Sequence, residues 1–166
     1  DFVKSVSKRS ERKITFNVAG KQTNEGLEII KKYDIHITYW QSQADGGQAN
    51  AINEGWKRST GKVICWLNSD DILEPGSLCD VGNAFKKHSE TILVVGDCKV
   101  VNSDGAHIGV KKTSKFDRYT LLNSTSLGQP AAFLSRKVLS EIGYLDASLN
   151  FALDWAYFLK LFWKYP

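Results

Sequence analysis

The feature that most constrains the fold is an alternation of strand-like and helix-like segments along the chain. Short apolar runs predict strands, and the runs between them, with apolar residues every three or four positions, predict helices. The order is strand, helix, strand, helix, strand, helix, strand, followed by a hairpin, a strand and two helices. This alternation is typical of an α/β sheet with helices on both faces.

The predicted strands are Lys13–Val18, His36–Gln41, Lys62–Leu67, Thr91–Val95 and Gln129–Leu134, with a hairpin over Cys98–Val110. The predicted helices are Gly26–Tyr33, Gln48–Ser59, a segment from Pro75 to about His88, Arg136–Ile142 and Leu153–Trp163. The run Lys62–Leu67 is a short apolar strand of the kind buried on both faces of a parallel sheet. Ligands bind beyond the carboxyl ends of such strands, so polar residues that follow a strand are the candidates for chemistry.

Composition excludes several classes of protein. The 166 residues suit one domain, and 42% hydrophobic with 24% charged residues excludes a disordered chain. No apolar run approaches the roughly 18 residues that a membrane span needs. The net charge of +4 arises within residues 1–32, which hold eight basic and four acidic side chains. This basic segment is either a solvated surface or a peripheral contact with anionic lipid. No basic stripe interleaved with aromatic residues follows, so we expect no nucleic-acid partner.

Cysteine usage indicates a reducing compartment. The chain has three widely spaced cysteines and no zinc-ligand spacing, which favours a cytoplasmic protein. Cys65 and Cys98 lie in apolar runs, so we expect both to be small buried hydrophobes. The chain starts at Asp1 and has no methionine, so we expect a fragment or a processed form.

A buried strand that runs directly into two carboxylates is the strongest candidate site. Asn68-Ser69-Asp70-Asp71 follows the apolar strand, and Pro75-Gly76 sets the turn behind it. Mg²⁺ and Mn²⁺ are typically held by one or two carboxylates together with substrate phosphates. Alternatively, Asp70 or Asp71 caps the following helix, since Asp is a common N-cap residue. The residues alone leave both interpretations open.

Three further positions could bind a ligand or carry a proton. Asp45-Gly46-Gly47 precedes a helix N-terminus, which favours an anion, although Asp45 could be an ordinary cap. Asp154 lies between Leu153 and Trp155 in an apolar stretch. Partial desolvation there would raise its pKa toward that of a general base, and an N-cap role is the alternative. Gln129 could present its amide to a ligand.

In combination and order, these motifs resemble family 2 glycosyltransferases. In Tyr39–Leu78, a D-x-G-x-x-x-A-x-N-x-G helix opening precedes an apolar strand and the region of the metal-binding D-x-D motif. The later pieces that match in the same order are Gly96-Asp97, Asp104-Gly105, Gln129–Phe133, Ile142–Asp146 and Ala152–Asp154. The resemblance implies the GT-A fold, a Rossmann-like, mixed and mostly parallel sheet flanked by helices. Residues 1–166 would form a single domain that lacks the usual first strand, so we expect truncation at the N-terminus, and truncation at the C-terminus is also open.

The resemblance also implies inverting transfer of a sugar from a UDP-, GDP- or dTDP-sugar to an acceptor hydroxyl. Asp70 would bind Mn²⁺ or Mg²⁺, with Asn68 at the first D-x-D position and Asp71 supporting the metal or the ribose. Asp154 would be the catalytic base. The donor pocket would further include Asp45, Gly46, Asn53 and Gln129. The family suggests surface polysaccharide or lipopolysaccharide assembly, with a saccharide or lipid-linked acceptor at the inner face of the membrane.

Departures from the family pattern keep two alternatives open. Ala19 stands where a carboxylate normally contacts the nucleotide base, and no S-I-V-like strand precedes Asp1. Both observations favour a degenerate, non-catalytic nucleotide-sugar-binding module. A nucleotidyltransferase is the other alternative, and it would need a Gly-rich basic phosphate loop near the amino terminus, which is not visible.

Overall fold

The computed structural model describes residues 17–19, 22–44, 46–113, 117–123 and 127–166, apart from the side chains of Asn17, Arg118 and Asn123. Most of the basic amino-terminal segment, most of the predicted strand Lys13–Val18, and Asp45 lie outside these ranges. The strands are β1 (Asn17–Val18), β2 (Tyr39–Trp40), β3 (Val63–Ile64), β4 (Leu93–Val95), β5 (Cys98–Val101), β6 (His107–Lys111) and β7 (Ala132–Ser135). The helices are α1 (Asn24–Tyr33), α2 (Gln48–Arg58), α3 (Ser77–Lys87), α4 (Arg118–Asn123), α5 (Val138–Glu141) and α6 (Leu153–Lys164).

Strand pairing in the described residues gives three groups. The sheet β3-β7-β4 has β7 in the middle, antiparallel to both neighbours, with Leu134 opposite Ile64 on one side and Leu93 on the other. Strands β1 and β2 pair in parallel, and β5 and β6 form an antiparallel hairpin. The mixed sheets and their helices confirm the predicted α/β class.

The prediction for Lys62–Leu67 needs a correction. The paired segment is only Val63–Ile64, and its partner β7 is antiparallel. Strands β3 and β4 run in the same direction, but β7 separates them, so they are not hydrogen-bonded neighbours. Ile64 is 4% exposed. The predicted burial holds for Ile64 and Trp66, whereas Lys62 and Leu67 are exposed, and the predicted pairing direction is wrong.

Local chemistry explains the other differences in element bounds. The predicted strand Gln129–Leu134 begins with a 3₁₀ turn over Gln129–Ala131, because Pro130 lacks the N–H that a strand pair needs. The predicted strand His36–Gln41 is shortened to β2, and its first residue, His36, belongs to a 3₁₀ turn over Asp34–His36. The predicted helix Arg136–Ile142 is reduced to α5.

The predicted hairpin is confirmed, and its turn has a clear cause. The side-chain oxygen of Asn102 accepts hydrogen bonds from the backbone N–H groups of Asp104, at 3.1 Å, and Ala106, at 2.8 Å. Gly105 has a φ of +80°, a conformation that glycine adopts without steric cost. The β5-β6 hairpin is therefore closed by the residues between its strands.

An aromatic cluster joins helices α2 and α6 to the end of β3. The rings of Trp56 and Trp66 meet edge to face at 5.4 Å, and Trp66 stacks on Phe158 at 6.1 Å. Tyr157 lies 5.5 Å from Trp56. All four residues are less than 10% exposed. Burying side chains of this size contributes roughly 2–3 kcal/mol each, so the cluster fixes α6 against the strand that leads to the candidate site.

Among the described residues, no helix combines the length and the apolar character required to cross a bilayer.

Candidate functional site

The chain leaves the sheet after β3 and turns at the predicted carboxylates. Trp66 is buried, whereas Asn68 is half-buried and Asp70 is exposed. The backbone oxygen of Asn68 accepts a hydrogen bond from the N–H of Asp71 at 3.2 Å, which closes the turn. Helix α3 begins only at Ser77. The alternative that Asp70 or Asp71 caps this helix is therefore wrong, because its N-cap is Gly76.

A chain of side-chain amides joins three distant segments at this turn. Gln48 Nε2 donates to Asn68 Oδ1 at 2.9 Å, and Asn68 Nδ2 donates to Gln129 Oε1 at 3.0 Å. Gln129 Nε2 in turn donates to the backbone oxygen of Trp66 at 2.8 Å. Gln129 is only 7% exposed and both ends of its amide bind protein groups, so the expectation that it presents its amide to a ligand is corrected to a positioning role. The amide chain (Gln48, Asn68 and Gln129) thus fixes the side chain of Asn68 from both ends.

Gln48 was not identified from the sequence as a site residue. It is the first residue of α2, and Gly47 is the N-cap with a φ of +116°. Gly46 also has a positive φ, and a Cβ there would lie 2.9 Å from Asn50 Nδ2. The two predicted glycines therefore allow a close turn that brings the Gln48 amide to Asn68. The neighbouring prediction, Asp45, lies outside the described residues.

The adjacent carboxylates create a local excess of negative charge. Burial and the Asp70 carboxylate raise the pKa of Asp71, and a 3.3 Å hydrogen bond from Asn68 Nδ2 partly opposes this. A cation would relieve this repulsion, so the residues fit Mg²⁺ or Mn²⁺. Among the described residues, no three His, Cys, Asp or Glu side chains are arranged to hold a metal. The two carboxylates therefore fit a cation whose remaining ligands would come from a bound diphosphate and from water.

Asn53 was predicted to line a donor pocket, and the structure gives it a different role. It is 7% exposed, and its Nδ2 donates to the backbone oxygen of Leu145 at 2.9 Å. Its Oδ1 accepts from the N–H of Leu145 at 3.0 Å. The amide therefore satisfies both the backbone N–H and the backbone oxygen of a buried residue 92 positions away. Asn53 joins α2 to the loop before α6, and the donor-pocket assignment is corrected to a structural one.

Asp154 lies in the first turn of α6, at its second residue. The N-cap is Ala152, so the alternative in which Asp154 caps the helix is wrong. Phe158, one turn further along the same face, stacks on Trp66, which directs this face toward the end of β3. The half-buried carboxylate of Asp154 has no hydrogen bond or ion pair with any residue in the described ranges.

The backbone before Asp154 is strained. Ala152 has a φ of +54° and a ψ of +28°, and it is the one non-glycine residue with positive φ in the described part of the chain. This left-handed conformation costs an alanine about 1–2 kcal/mol. The α6 start is held by Trp155, whose Nε1 donates to the backbone oxygen of Leu121 at 2.7 Å. Packing therefore imposes the turn that sets the direction of the Asp154 helix.

Close packing behind the site involves Gly128 and Cys98. A Cβ at Gly128 would meet Cys98 Sγ too closely unless the thiol moved, so the segment before Gln129 packs tightly against this thiol. Cys98 is half-buried, which corrects the expectation that it is a fully buried hydrophobe. The thiol of Cys65 is enclosed, as predicted, although the residue as a whole keeps some accessible surface. Burial raises the pKa of the Cys65 thiol to about 11.

The structure therefore brings Asn68, Asp71 and Gln129 together, with Asp70 in the same turn. Asp154 lies at the start of α6, the helix that packs on Trp66 through Phe158, and Asn53 belongs to the core. This arrangement places two carboxylates and an oriented amide at the end of a buried strand, and a carboxylate without a partner among the described residues on the helix packed beside it. Such a set can bind a cation with an attached anion and can accept a proton.

Solved structures show which fold this chain has. Residues 1–349 of TarS from S. aureus match in the crystal structure with UDP at a TM-score of 0.70, and in the structure with UDP-GlcNAc at 0.69. The identity is 18% in both, over 98% of this chain and 50% and 49% of those chains. The protein has the GT-A fold predicted from its motifs.

The model of Glycosyl transferase family 2 matches residues 5–143, and the chain belongs to this family. An uncharacterized glycosyltransferase of Rickettsia bellii (strain RML369-C) is 25% identical over 162 residues, which are 90% of this chain and 23% of the relative. Poly(ribitol-phosphate) beta-N-acetylglucosaminyltransferase TarS of Staphylococcus aureus (strain Mu50) is 26% identical over 130 residues, which cover 75% of this chain and 22% of the relative. The chain thus spans under a quarter of the length of these curated relatives.

Proposed function

We propose that the protein transfers a sugar from a nucleotide-diphosphate sugar to an acceptor hydroxyl, with inversion at the anomeric carbon. The observation that carries the proposal is the amide chain beside Asp71. It joins the start of α2, the turn after β3 and the turn before β7, which are three segments of the family pattern. Family membership and the UDP and UDP-GlcNAc bound to TarS support a nucleotide-sugar donor.

Donor binding is assigned to the turn after β3. Asp70 and Asp71 would hold Mn²⁺ or Mg²⁺, and the bound cation supplies neutralisation of the leaving diphosphate. Gln48 and Gln129 keep Asn68 in one orientation, so its Nδ2 stays directed at Asp71. This arrangement opposes rotation of the Asp71 carboxylate away from the donor.

Activation of the acceptor is assigned to Asp154. Its carboxylate, with no hydrogen-bond partner among the described residues, is available to take the proton of an acceptor hydroxyl. The oxygen then attacks the anomeric carbon as the bond to the diphosphate breaks. Attack from the side opposite the leaving group inverts that carbon. The base acts on one side of the sugar, and the diphosphate leaves from the other. The base accordingly lies on α6, whereas the residues that would bind the diphosphate lie in the turn after β3.

The acceptor is proposed to be a saccharide or lipid-linked chain in the assembly of a surface polysaccharide. The name of TarS, which assigns it a poly(ribitol-phosphate) acceptor, supports a cell-envelope polymer as the general class. The basic amino-terminal segment, with residues such as Lys8 and Arg9, would supply a peripheral contact with anionic lipid at the cytoplasmic side of the membrane.

The experiment is a transfer assay with UDP-, GDP- and dTDP-sugars, Mn²⁺ and a panel of saccharide acceptors. We expect release of the nucleoside diphosphate with one donor, and NMR of the product should give the anomeric configuration opposite to that of the donor. Asp104→Asn, in the exposed hairpin turn, is the matched control for Asp70→Asn. Binding of UDP without turnover of any donor would instead identify a non-catalytic module, and retention of configuration would overturn the inverting mechanism.

A further inference from the structure

A second candidate site lies at the opposite end of β3 from the carboxylates. A groove of about 670 Å³ opens where the amino end of β3 meets the carboxyl end of β7. This volume is within the range of sites that bind small molecules. We call it the basic groove, and its polar walls include Lys62, Ser89, Ser135, Arg136, Lys137 and Ser140. Lys62 and Asn68 are six positions apart, a span of about 20 Å in an extended strand, so the basic groove is distinct from the candidate donor site.

Positive charge dominates the lining of the basic groove. Three cationic side chains contribute to it, and none of its lining residues is acidic. Lys62 is exposed and has no ion pair with any described residue. Lys137 meets the carboxylate of Glu90 at 3.5 Å, but both side chains are more than half exposed, and an ion pair of this kind contributes little. A fourth cation, Lys57, lies 5.7 Å from the ring of Tyr144 at the rim.

One of these cations is held rigidly. Arg136 Nη1 donates to Ser59 Oγ at 2.6 Å and to the backbone oxygen of Trp56 at 3.4 Å. The backbone N–H of Arg136 donates to the oxygen of Lys62 at 2.8 Å, which ties the two walls together. The guanidinium is therefore positioned before any ligand arrives. A preorganised cation loses less conformational entropy on binding than a free one.

The basic groove also contains apolar surface and hydroxyl groups. Val63, Phe85 and Leu139 contribute apolar side chains, and Ser135 adds a hydroxyl donor among the cations, whereas the Ser140 hydroxyl already donates to the backbone oxygen of Lys137 at 2.8 Å. Several cationic and hydroxyl donors in one groove suit phosphate, which offers several acceptor oxygens. The apolar part suits an organic group attached to that phosphate. We propose that the basic groove binds the phosphate group of an organic phosphate ester, separately from the candidate donor site.

Titration of the ¹⁵N-labelled protein with phenyl phosphate and with inorganic phosphate tests this proposal. We expect the backbone signals of Thr60–Val63 and Ser135–Leu139 to shift, with phenyl phosphate binding at least tenfold more tightly. UDP, titrated separately, should shift the signals of Gln48 and Asn68. Failure of the donor-site proposal is therefore distinguishable from failure of this one.

Two variants and a matched control give the decisive comparison. Lys62→Gln and Lys137→Gln should each weaken binding of phenyl phosphate at least fivefold. Lys164→Gln, which removes the same charge from the exposed end of α6, should change it less than twofold. Both groove side chains are exposed, so the variants should unfold at the wild-type temperature. The proposal would be overturned if all three variants weakened binding equally, or if inorganic phosphate bound as tightly as phenyl phosphate. It would also be overturned if the backbone signals of the groove residues did not shift.

Discussion

Asn68 Nδ2 lies 3.0 Å from Gln129 Oε1, which joins two side chains that are 61 residues apart in the sequence. Gln129 is buried and also donates to the backbone oxygen of Trp66, so it links the turn after β3 to the strand itself. The orientation of one polar side chain at the proposed donor site therefore depends on a residue in the core.

Replacing Gln129 by leucine should reduce both stability and donor binding. The backbone oxygen of Trp66 would lose its 2.8 Å partner while remaining buried, which costs about 1–3 kcal/mol in the free energy of unfolding. The freed Asn68 side chain should raise KM for the donor more than it lowers kcat. Urea unfolding and steady-state kinetics measure the two effects. Gln43→Leu, at an exposed position, is the control, and equal effects of both variants would contradict the role given to Gln129.

Asn53→Ala should destabilise the protein without weakening the binding of UDP. The N–H and C=O of Leu145 would both lose their partner, and we expect a loss of about 2–3 kcal/mol in urea unfolding. Asn150→Ala, at an exposed position, should lie within about 0.5 kcal/mol of wild type. Isothermal titration calorimetry with UDP, under conditions in which the variant is folded, separates a structural role of Asn53 from a role in donor binding. A large loss of UDP affinity at unchanged stability would restore Asn53 to the donor pocket.

The position of the carboxylates was predictable because they directly follow an apolar strand, whereas the sequence alone could not decide whether Asp70 or Asp71 caps the next helix. Gln48 was not predictable, since its partner Asn68 lies 20 residues away and a glutamine at a helix start carries no distinctive signal. Asn53 was misassigned because an amide that binds a ligand and an amide that binds a buried backbone have the same sequence appearance. The antiparallel partner of β3 was missed because burial, unlike pairing direction, determines its apolar pattern.

Stability should fall at alkaline pH because of Cys65. Its thiol has a pKa of about 11 in the folded protein, against 9.0 for an exposed cysteine thiol. Between these values the unfolded chain loses the proton first, so the folded state becomes less stable as pH rises, by up to about 1.4 kcal/mol per pH unit. Below pH 9 the thiol keeps its proton in both the folded and the unfolded state, so its burial does not reduce the stability there. Urea unfolding from pH 8 to 10.5 should show a steeper decline for wild type than for Cys65→Ala. Cys79→Ala, at an exposed thiol, should follow wild type, and parallel curves for all three proteins would contradict the assignment.

Removing the divalent cation should weaken donor binding through Asp70 and Asp71. We expect the affinity of the wild-type protein for UDP to fall at least tenfold when EDTA replaces Mn²⁺, because two carboxylates then face the diphosphate without a cation between them. Asp70→Asn should show little dependence on Mn²⁺, whereas Asp104→Asn should behave as wild type. The same UDP affinity with Mn²⁺ and with EDTA in the wild-type protein would remove the metal from the proposal.

The catalytic role of Asp154 is tested most directly by comparing kcat with donor affinity in Asp154→Asn. The asparagine keeps the size of the side chain but cannot take a proton from the acceptor. We expect kcat for sugar transfer to fall about 10²–10⁴-fold, the usual contribution of a general base, while the Kd for UDP stays within twofold of wild type. A kcat within tenfold of wild type would contradict the assignment of Asp154 as the base and the mechanism built on it.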